Sequence, residues 1–247
     1  MSEIKQNYGM LADFHCHTIA SVHAYSTISE NLAAAKAKGL RVLAVTDHAV
    51  GCPDSPPLSY FENLSSLPEK VDGIRLLTGV EANIMDFDGN LDMPQEVLKT
   101  LDIVIASYHT SCTSPGTKEQ HTRSYLKLRD NPYVKITGHA GTMEFPFDYD
   151  KVVPLLGEAG KIFEINAHTF ACRKKSIENC VHIARLCKKY RLPVLVNSDA
   201  HSQFEVASCA KAFEMLKEIE FPEELIINID EERIIHFLKS VNIEYDV

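Results

Sequence analysis

Imidazole and carboxylate side chains recur in this chain at places where their nitrogen and oxygen atoms could share an ion. His15 and His17 flank a single residue, His23 follows six positions later, and His48, Glu81, His109, His139, Asp199 and His201 come in turn. In extended chain, side chains two apart point the same way. His15 and His17 therefore face together while Cys16 points opposite, and Asp199 and His201 pair by the same logic. These side chains are the usual ligands of zinc and related divalent metals. One histidine near a strand end is ordinarily a hydrogen-bonded structural residue, and His121, His182 and His236, on predicted helices, are read that way. Nine ligand-type residues at successive strand ends are read as a metal site. Zinc takes three or four protein ligands, so the seven histidines, Glu81 and Asp199 would serve two or three ions, with a carboxylate bridging. Three dications against two carboxylates leave an excess of roughly +4, to be met by hydroxide, outer acids or an anionic ligand. A locally positive pocket suits a small phosphate ester better than a nucleic acid polymer.

Such residues meet only if the fold brings distant strand ends to one face. Strand-like apolar runs fall at Leu11–His15, Arg41–Thr46, Ile74–Val80, Asp102–Ser107, Val134–Thr137, Lys161–Ile165 and Pro193–Asn197. They lack apolar–polar alternation, as expected of strands covered on both faces. Helical patterns come between several of them: a run opened by Ser29 as N-cap and ending at Gly39, then Lys118–Arg129, Asp150–Glu158, Ser176–Tyr190 and Phe204–Lys217, with Glu231–Ser240 as a last helix packed on the outside. Residues 52–68 and 86–94, rich in Pro, Ser, Asp and Asn, read as surface loops. Seven β-α steps without a composition break predict one α/β domain over residues 1–247, closed into an irregular, TIM-like (β/α)7 barrel. Every donor lies just past the C-terminal end of a strand, the face on which β/α barrels build active sites. An open doubly wound sheet is the competing arrangement, but no Gly-rich dinucleotide or P-loop signature supports it.

Composition bounds the rest. The chain has 247 residues, is 45% hydrophobic and 24% charged, and its formal net charge of −9 argues against phosphate-backbone binding and so against a nucleic-acid partner. The first residues carry no basic-then-apolar signal pattern, and no apolar run approaches the roughly 20 residues needed to cross a bilayer. Seven cysteines, an odd number with no Cys-x-x-Cys pair, point to a reducing, cytoplasmic setting. Cys180 and Cys187 read as packing residues. Homo-oligomerisation is left open.

Taken together, Asp13-Phe-His15-Cys-His17-Thr18, Thr46-Asp47-His48, Gly79-Val-Glu81, His109, Gly138-His139 and Ser198-Asp199-Ala-His201 resemble the motifs of the PHP (polymerase and histidinol phosphatase) superfamily. With Glu164-Ile-Asn166 included, the pattern most resembles the stand-alone YcdX-type phosphatases. The resemblance runs from Met10 to the last helix. It implies a distorted seven-stranded barrel with a trinuclear zinc centre, and hydrolysis of phosphate esters. It also implies that His15, His17, His23, His48, Glu81, His109, His139, Asp199 and His201 are the ligands, and that Glu81 bridges two ions. The segment Asn166-Ala-His168-Thr departs from the pattern, since relatives tend to carry small polar residues there. This makes His168 a pocket-wall or substrate-contacting residue.

Phosphate monoesters hydrolyse slowly in water, so a strong nucleophile and charge neutralisation are both required. The expected mechanism is attack by a metal-bound hydroxide, with Glu81 and Asp199 holding the ions rather than attacking phosphorus. Zinc, three per chain, is the expected cofactor, with manganese or iron as alternatives. Arg173 and Lys174, after the sixth strand, are candidates for gripping the phosphate. Lys118 and Arg123 are weaker ones. Asp13 and Asp47 are expected to orient imidazoles, or, for Asp47 equally, to cap a turn. No Gly-x-Ser-x-Gly elbow is present, and of the two cysteines near histidines that could serve as a nucleophile, Cys16 and Cys112, Cys16 should face away from the site. Two other readings are kept. One is a metallohydrolase of C–N bonds, disfavoured because Ser107-Tyr-His109-Thr offers no lysine to bridge metals. The other is a non-catalytic metal-binding protein.

Overall fold

The computed structural model describes residues 9–53 and 55–245. Among the described residues eight strands form in chain order: β1 Ala12–Asp13, β2 Val42–Val45, β3 Lys70–Val71, β4 Ile74–Asn83, β5 Ile103–Ser107, β6 Ile136–Thr137, β7 Ile162–Asn166 and β8 Val194–Asn197. Seven of them pair in parallel in the order β1-β2-β4-β5-β6-β7-β8, and β3 is a short antiparallel addition to β4. Every residue of β2, β5, β7 and β8 is buried, which is why their sequences read as unbroken apolar runs.

The seam between β8 and β1 has one isolated bridge, Cys16 to Ala200, and is otherwise closed by side chains. Asn228 stands in for a missing ladder: its amide donates to the carbonyls of Ala12 and Val196, and its Oδ1 accepts from Val196 N at 3.1 Å. Phe14 N donates to Asn197 Oδ1 at 3.0 Å, and Asp13 accepts from Ser198 N at 3.1 Å. A distorted (β/α)7 barrel results.

The helices are α1 Ile28–Ala37, α2 Leu58–Glu62, α3 Gln95–Leu98, α4 Lys118–Leu128, α5 Tyr149–Glu158, α6 Ile177–Tyr190, α7 Ala210–Glu218 and α8 Glu231–Ser240. Four expectations need correction. The N-cap of α1 is Thr27, not Ser29, because Thr27 and Glu30 satisfy each other's backbone N–H in a capping box. Helix α7 starts at Ala210 rather than Phe204: Ala207 sits at φ 53°, outside the right-handed helix, and Asp13 takes its N–H. Residues 52–68 are not merely a surface loop, since they form α2 and bury Phe61 and Leu64. Finally, α8 is not simply an outer helix. Its Ile234, Phe237 and Leu238 pack with Ala12, Phe14, Val42, Ala44, Ile103, Ile105 and Leu195, and the Phe14 and Phe237 rings meet edge to face at 5.2 Å. An amphipathic pattern shows that a helix has an apolar face, not which surface that face will cover.

Candidate metal centre

Most donors are delivered by the turn that follows a strand, with Glu81 inside its strand and His23 farther along the loop after β1. His15 and His17 follow β1, His48 follows β2, Glu81 lies in the last third of β4, and His109, His139 and Asp199–His201 follow β5, β6 and β8. Glycine is required before His139. A Cβ on Gly138 would stand 2.2 Å from Ser107 Oγ, so the strands could not approach closely enough to aim that imidazole. His139 and Asp199 adopt positive φ, 28° and 55°. Such backbone is costly for a residue with a side chain and persists only where its surroundings hold it.

The structure brings all nine sequence-predicted donors into one cluster. Glu81 lies at its middle, fully buried, with a different set of imidazoles at each oxygen. Oε2 is 3.0 Å from His48 Nδ1, 3.4 Å from His15 Nε2 and 3.5 Å from His17 Nε2. Oε1 is 2.8 Å from His139 Nε2 and 3.4 Å from His109 Nε2. Asp199 Oδ1 is 3.1 Å from His17 Nε2 and 3.5 Å from His15 Nε2. His48 Nε2 faces His23 Nε2 at 3.2 Å, and the His201 ring lies beside both His23 and His17, with centroids 4.9 and 4.5 Å apart.

These separations fit shared ions. Donors around one tetrahedral zinc at about 2.05 Å stand roughly 3.3 Å apart, within the range seen here. Several of the atoms also lack a hydrogen bond although buried: His17 Nδ1, His48 Nδ1, His109 Nε2 and Glu81 Oε2. Buried polar atoms ordinarily find a partner, and a cluster of unpaired ones marks a place for an ion. The field has the right sign as well. Burial opposes charge on Glu81, yet His109, His15 and His48 hold its carboxyl well below the usual range. Asp199 is likewise held down against burial by His15, Arg173 and His17. Conversely, Glu164, Asp199 and Glu81 overcome burial at His15 and raise it well above the ordinary imidazole value, so a cation belongs among these carboxylates.

The imidazoles are steered from behind by residues to which the sequence reading gave no such part. Glu164 Oε1 accepts from His15 Nδ1 at 2.7 Å, and its Oε2 accepts from the backbone N–H of His139 at 2.9 Å. Asn83 Oδ1 lies 2.6 Å from His109 Nδ1, Thr142 Oγ1 lies 3.2 Å from His139 Nδ1, and the Asp199 carbonyl lies 2.9 Å from His201 Nδ1. Asp13 and Asp47 do not orient imidazoles. Asp13 binds Ser198 and the backbone of Ala207, while Asp47 gathers Thr18, Ser21 and Tyr60, which fits its turn-capping alternative. Both are loop anchors because their short side chains reach the adjacent loops instead. Glu164 could have been singled out as the one acid in the otherwise apolar run of its strand.

A cavity of about 270 Å³ opens on the cluster, lined in part by His23, His48, His109, His168, Arg173 and His201. His168 is half-buried, its ring 5.2 Å from that of His201. Arg173 Nη1 reaches Asp199 Oδ2 at 3.1 Å. Lys174 is exposed and outside the lining. Lys118 and Arg123 lie on α4, where Arg123 pairs with Asp88. His121 and His182 are structural, bonded to Pro146 O and to Asp150. Cys16 is buried on the side away from the donors, packed with Leu43 and Ala200.

Residues 13–168 match the family model described as PHP domain, and residues 181–234 match one described as PHP-associated. A "Probable phosphatase" of Clostridium botulinum (strain Langeland / NCTC 10281 / Type F) is 46% identical over 230 residues, covering 93% of this chain and 95% of that protein. A "Probable phosphatase" of Acetivibrio thermocellus is 44% identical over 229 residues, with 93% and 95% covered. Among solved structures, the histidinol phosphate phosphatase of Lactococcus lactis subsp. lactis Il1403, complexed with zinc, L-histidinol and phosphate, superposes with a TM-score of 0.62 at 19% identity, covering 86% of this chain and 95% of that one.

Proposed function

The chain belongs to the PHP family, and from that premise we propose that it is a metal-dependent phosphatase acting on small phosphate esters at a trinuclear, zinc-type centre. The observation that carries this reading is the placement of Glu81, one oxygen toward His15, His17 and His48 and the other toward His109 and His139. A carboxylate so placed is suited to bridge. In this reading His15, His17, Glu81 and Asp199 would hold one ion, Glu81, His109 and His139 a second, and His23, His48 and His201 a third. Zinc is preferred for the imidazole-rich set, with manganese or iron also able to occupy it. Divalent ions in such a site lower the pKa of a coordinated water toward neutrality and offset phosphoryl charge.

The chain's own residues do the remainder. Glu81 and Asp199 stay ionised and keep the donors aimed, acting as ligands rather than nucleophiles. Arg173, buried on its Asp199 side and open to the cavity, is placed to grip a phosphoryl oxygen. His168, in the cavity wall, is a candidate substrate contact. Lys174, exposed on the same segment, strengthens the field met by an entering anion. The chain is read as one domain, because Ala200, within the second family match, bridges to Cys16, within the first. All seven cysteines are free, which supports a reducing, cytoplasmic setting. Among the described residues no helix is long and apolar enough to cross a membrane. The acidic balance supports small substrates over nucleic acid.

The test combines composition with turnover. Purified protein should carry two to three divalent ions per chain and hydrolyse a chromogenic phosphate ester, with activity abolished by chelation and by His109→Ala. Full metal occupancy with turnover of a hydantoin but not of any ester would transfer the assignment to C–N hydrolysis. Occupancy without turnover of either would leave a metal-binding protein.

A further inference from the structure

Two cysteines from different strand-end loops converge beside the metal cavity, on Ser111 of its lining. Cys52 comes four residues after His48 and Cys112 three residues after His109. Cys52 is buried and lines the cavity, while Cys112 is half-buried. The two thiols perturb each other's acidity, Cys52 upward and Cys112 down to about 7. Both also approach the Ser111 hydroxyl, Cys52 Sγ at 3.9 Å and Cys112 Sγ at 3.4 Å. Of the other five cysteines, Cys16, Cys180, Cys187 and Cys209 are buried, and Cys172 is exposed in the lining of the same cavity. Cys52 has one further contact that links the pair to the chemistry. Its thiol donates to Asn83 Oδ1 at 3.4 Å, the same oxygen that aligns His109 Nδ1 at 2.6 Å.

We propose that Cys52 and Cys112 are a modification site, a dithiol that peroxide converts to an intramolecular disulfide, and that this oxidation disables the metal centre. The Cys112 sulfur, the more accessible of the two, attacks one oxygen of hydrogen peroxide. An S–O bond forms, the O–O bond breaks, and the first water leaves. The Cys52 sulfur then attacks Cys112 Sγ, the S–O bond breaks as S–S forms, and the second water departs. Two thiols surrender two electrons and two protons, which peroxide receives. The crosslink draws Cys52 Sγ away from Asn83 and ties the loops that carry His48 and His109 to one another. The outer partner of His109 is disturbed, and changes of that kind weaken metal binding on the order of ten- to a hundredfold. A thiol reductant reverses the change.

The loss of turnover rests on the phosphatase reading, whereas the crosslink does not, so the two are measured separately. The metal-loaded full-length protein is treated with hydrogen peroxide and digested under non-reducing conditions. The expected result is a linked peptide pair containing Cys52 and Cys112, lighter than the reduced pair by about two mass units, the two hydrogens lost. Elemental analysis after desalting should show metal loss, and hydrolysis of p-nitrophenyl phosphate should fall at least tenfold and return with dithiothreitol and metal. Cys112→Ser, which leaves Cys52 and its bond to Asn83 in place, should keep both metal and activity under the same treatment. The proposal is overturned if no Cys52–Cys112 peptide forms, if it forms with metal content unchanged, or if Cys112→Ser loses metal as fast as the parent. Should the parent protein never hydrolyse the ester, the peptide and metal readouts still decide the matter.

Discussion

Replacing Glu164 by glutamine alters one buried group with almost no change in volume, and its consequences can be worked from four donors. Oε1 accepts from His15 Nδ1 at 2.7 Å and from Asn197 Nδ2 at 3.0 Å. Oε2 accepts from His139 N and from Asn166 Nδ2, both at 2.9 Å. Glutamine offers only one oxygen, so its amide nitrogen must confront one of these pairs. Turned toward His139, it strands a buried backbone N–H at a cost of about 1–3 kcal/mol. Turned toward His15, it releases the imidazole from its orienting carboxylate, a change that typically weakens metal binding ten- to a hundredfold. Glu164→Gln is therefore expected to bind zinc roughly ten- to a hundredfold more weakly, measured by competition with a chromophoric chelator. Urea unfolding in chelator should separate any loss in the fold itself. Asp13→Asn is the control: it perturbs Ser198 and Ala207 and should lower stability while leaving zinc affinity closer to the parent's. Equal zinc affinity in Glu164→Gln and the parent, with weakened binding in Asp13→Asn, would refute the reasoning.

Asn228→Ala removes three contacts from the barrel seam and should cost about 2–4 kcal/mol in urea unfolding. The site should survive wherever the variant folds, so metal content per folded chain is the companion measurement. Arg173→Met deletes the guanidinium that faces the cavity, and a charged hydrogen bond is worth about 1.5–3 kcal/mol. The KM for a phosphate ester should thus rise tenfold or more, with metal occupancy retained. Lys161 is buried with its ammonium on the carbonyls of Asn131 and Val134, and burial lowers its pKa to about 8 from the usual 10.5. The folded state then binds fewer protons than the unfolded one between those values, so this group makes stability rise with pH across that window. Lys161→Met should flatten that rise in unfolding curves taken from pH 8 to pH 10.5.

The strands and the inner donors could be read from the chain because each obeys a local rule. A doubly covered strand is an apolar run, and a donor at its C-terminal end is the polar residue that interrupts it. His15, His48, Glu81 and His139 all announced themselves in that way. What could not be read depends on contacts across the barrel. Glu164 lies inside a strand, and its work is visible only when His15 arrives from 149 positions away. Asp13 looked like an imidazole partner because it is two residues from His15, yet its carboxylate reaches Ser198, which is 185 positions away. The seam asparagine, Asn228, carries no periodic signal at all. Helix α8 has the bounds its pattern predicts, but the pattern does not fix its place, since its apolar face suits the barrel interior as well as the outer surface.

The charge balance also changes once the neighbours are known, and it strengthens the case for an anionic substrate. Counting Glu81 and Asp199 alone left the proposed three dications with an excess of roughly +4. Glu164, packed against His15, removes one unit of that excess, and Arg173, paired with Asp199, restores it. The two additions cancel in number but not in place. Glu164 is fully buried behind the imidazoles, whereas Arg173 lies beside the opening of the cavity. The negative charge therefore acts on the donors and keeps them aimed, and the positive charge is displaced toward solvent. An ester with a dianionic phosphoryl group answers that asymmetry. A neutral amide would gain nothing from Arg173 and would leave most of the surplus unmet, which is the physical reason to prefer phosphoryl over C–N chemistry on a barrel that could in principle house either.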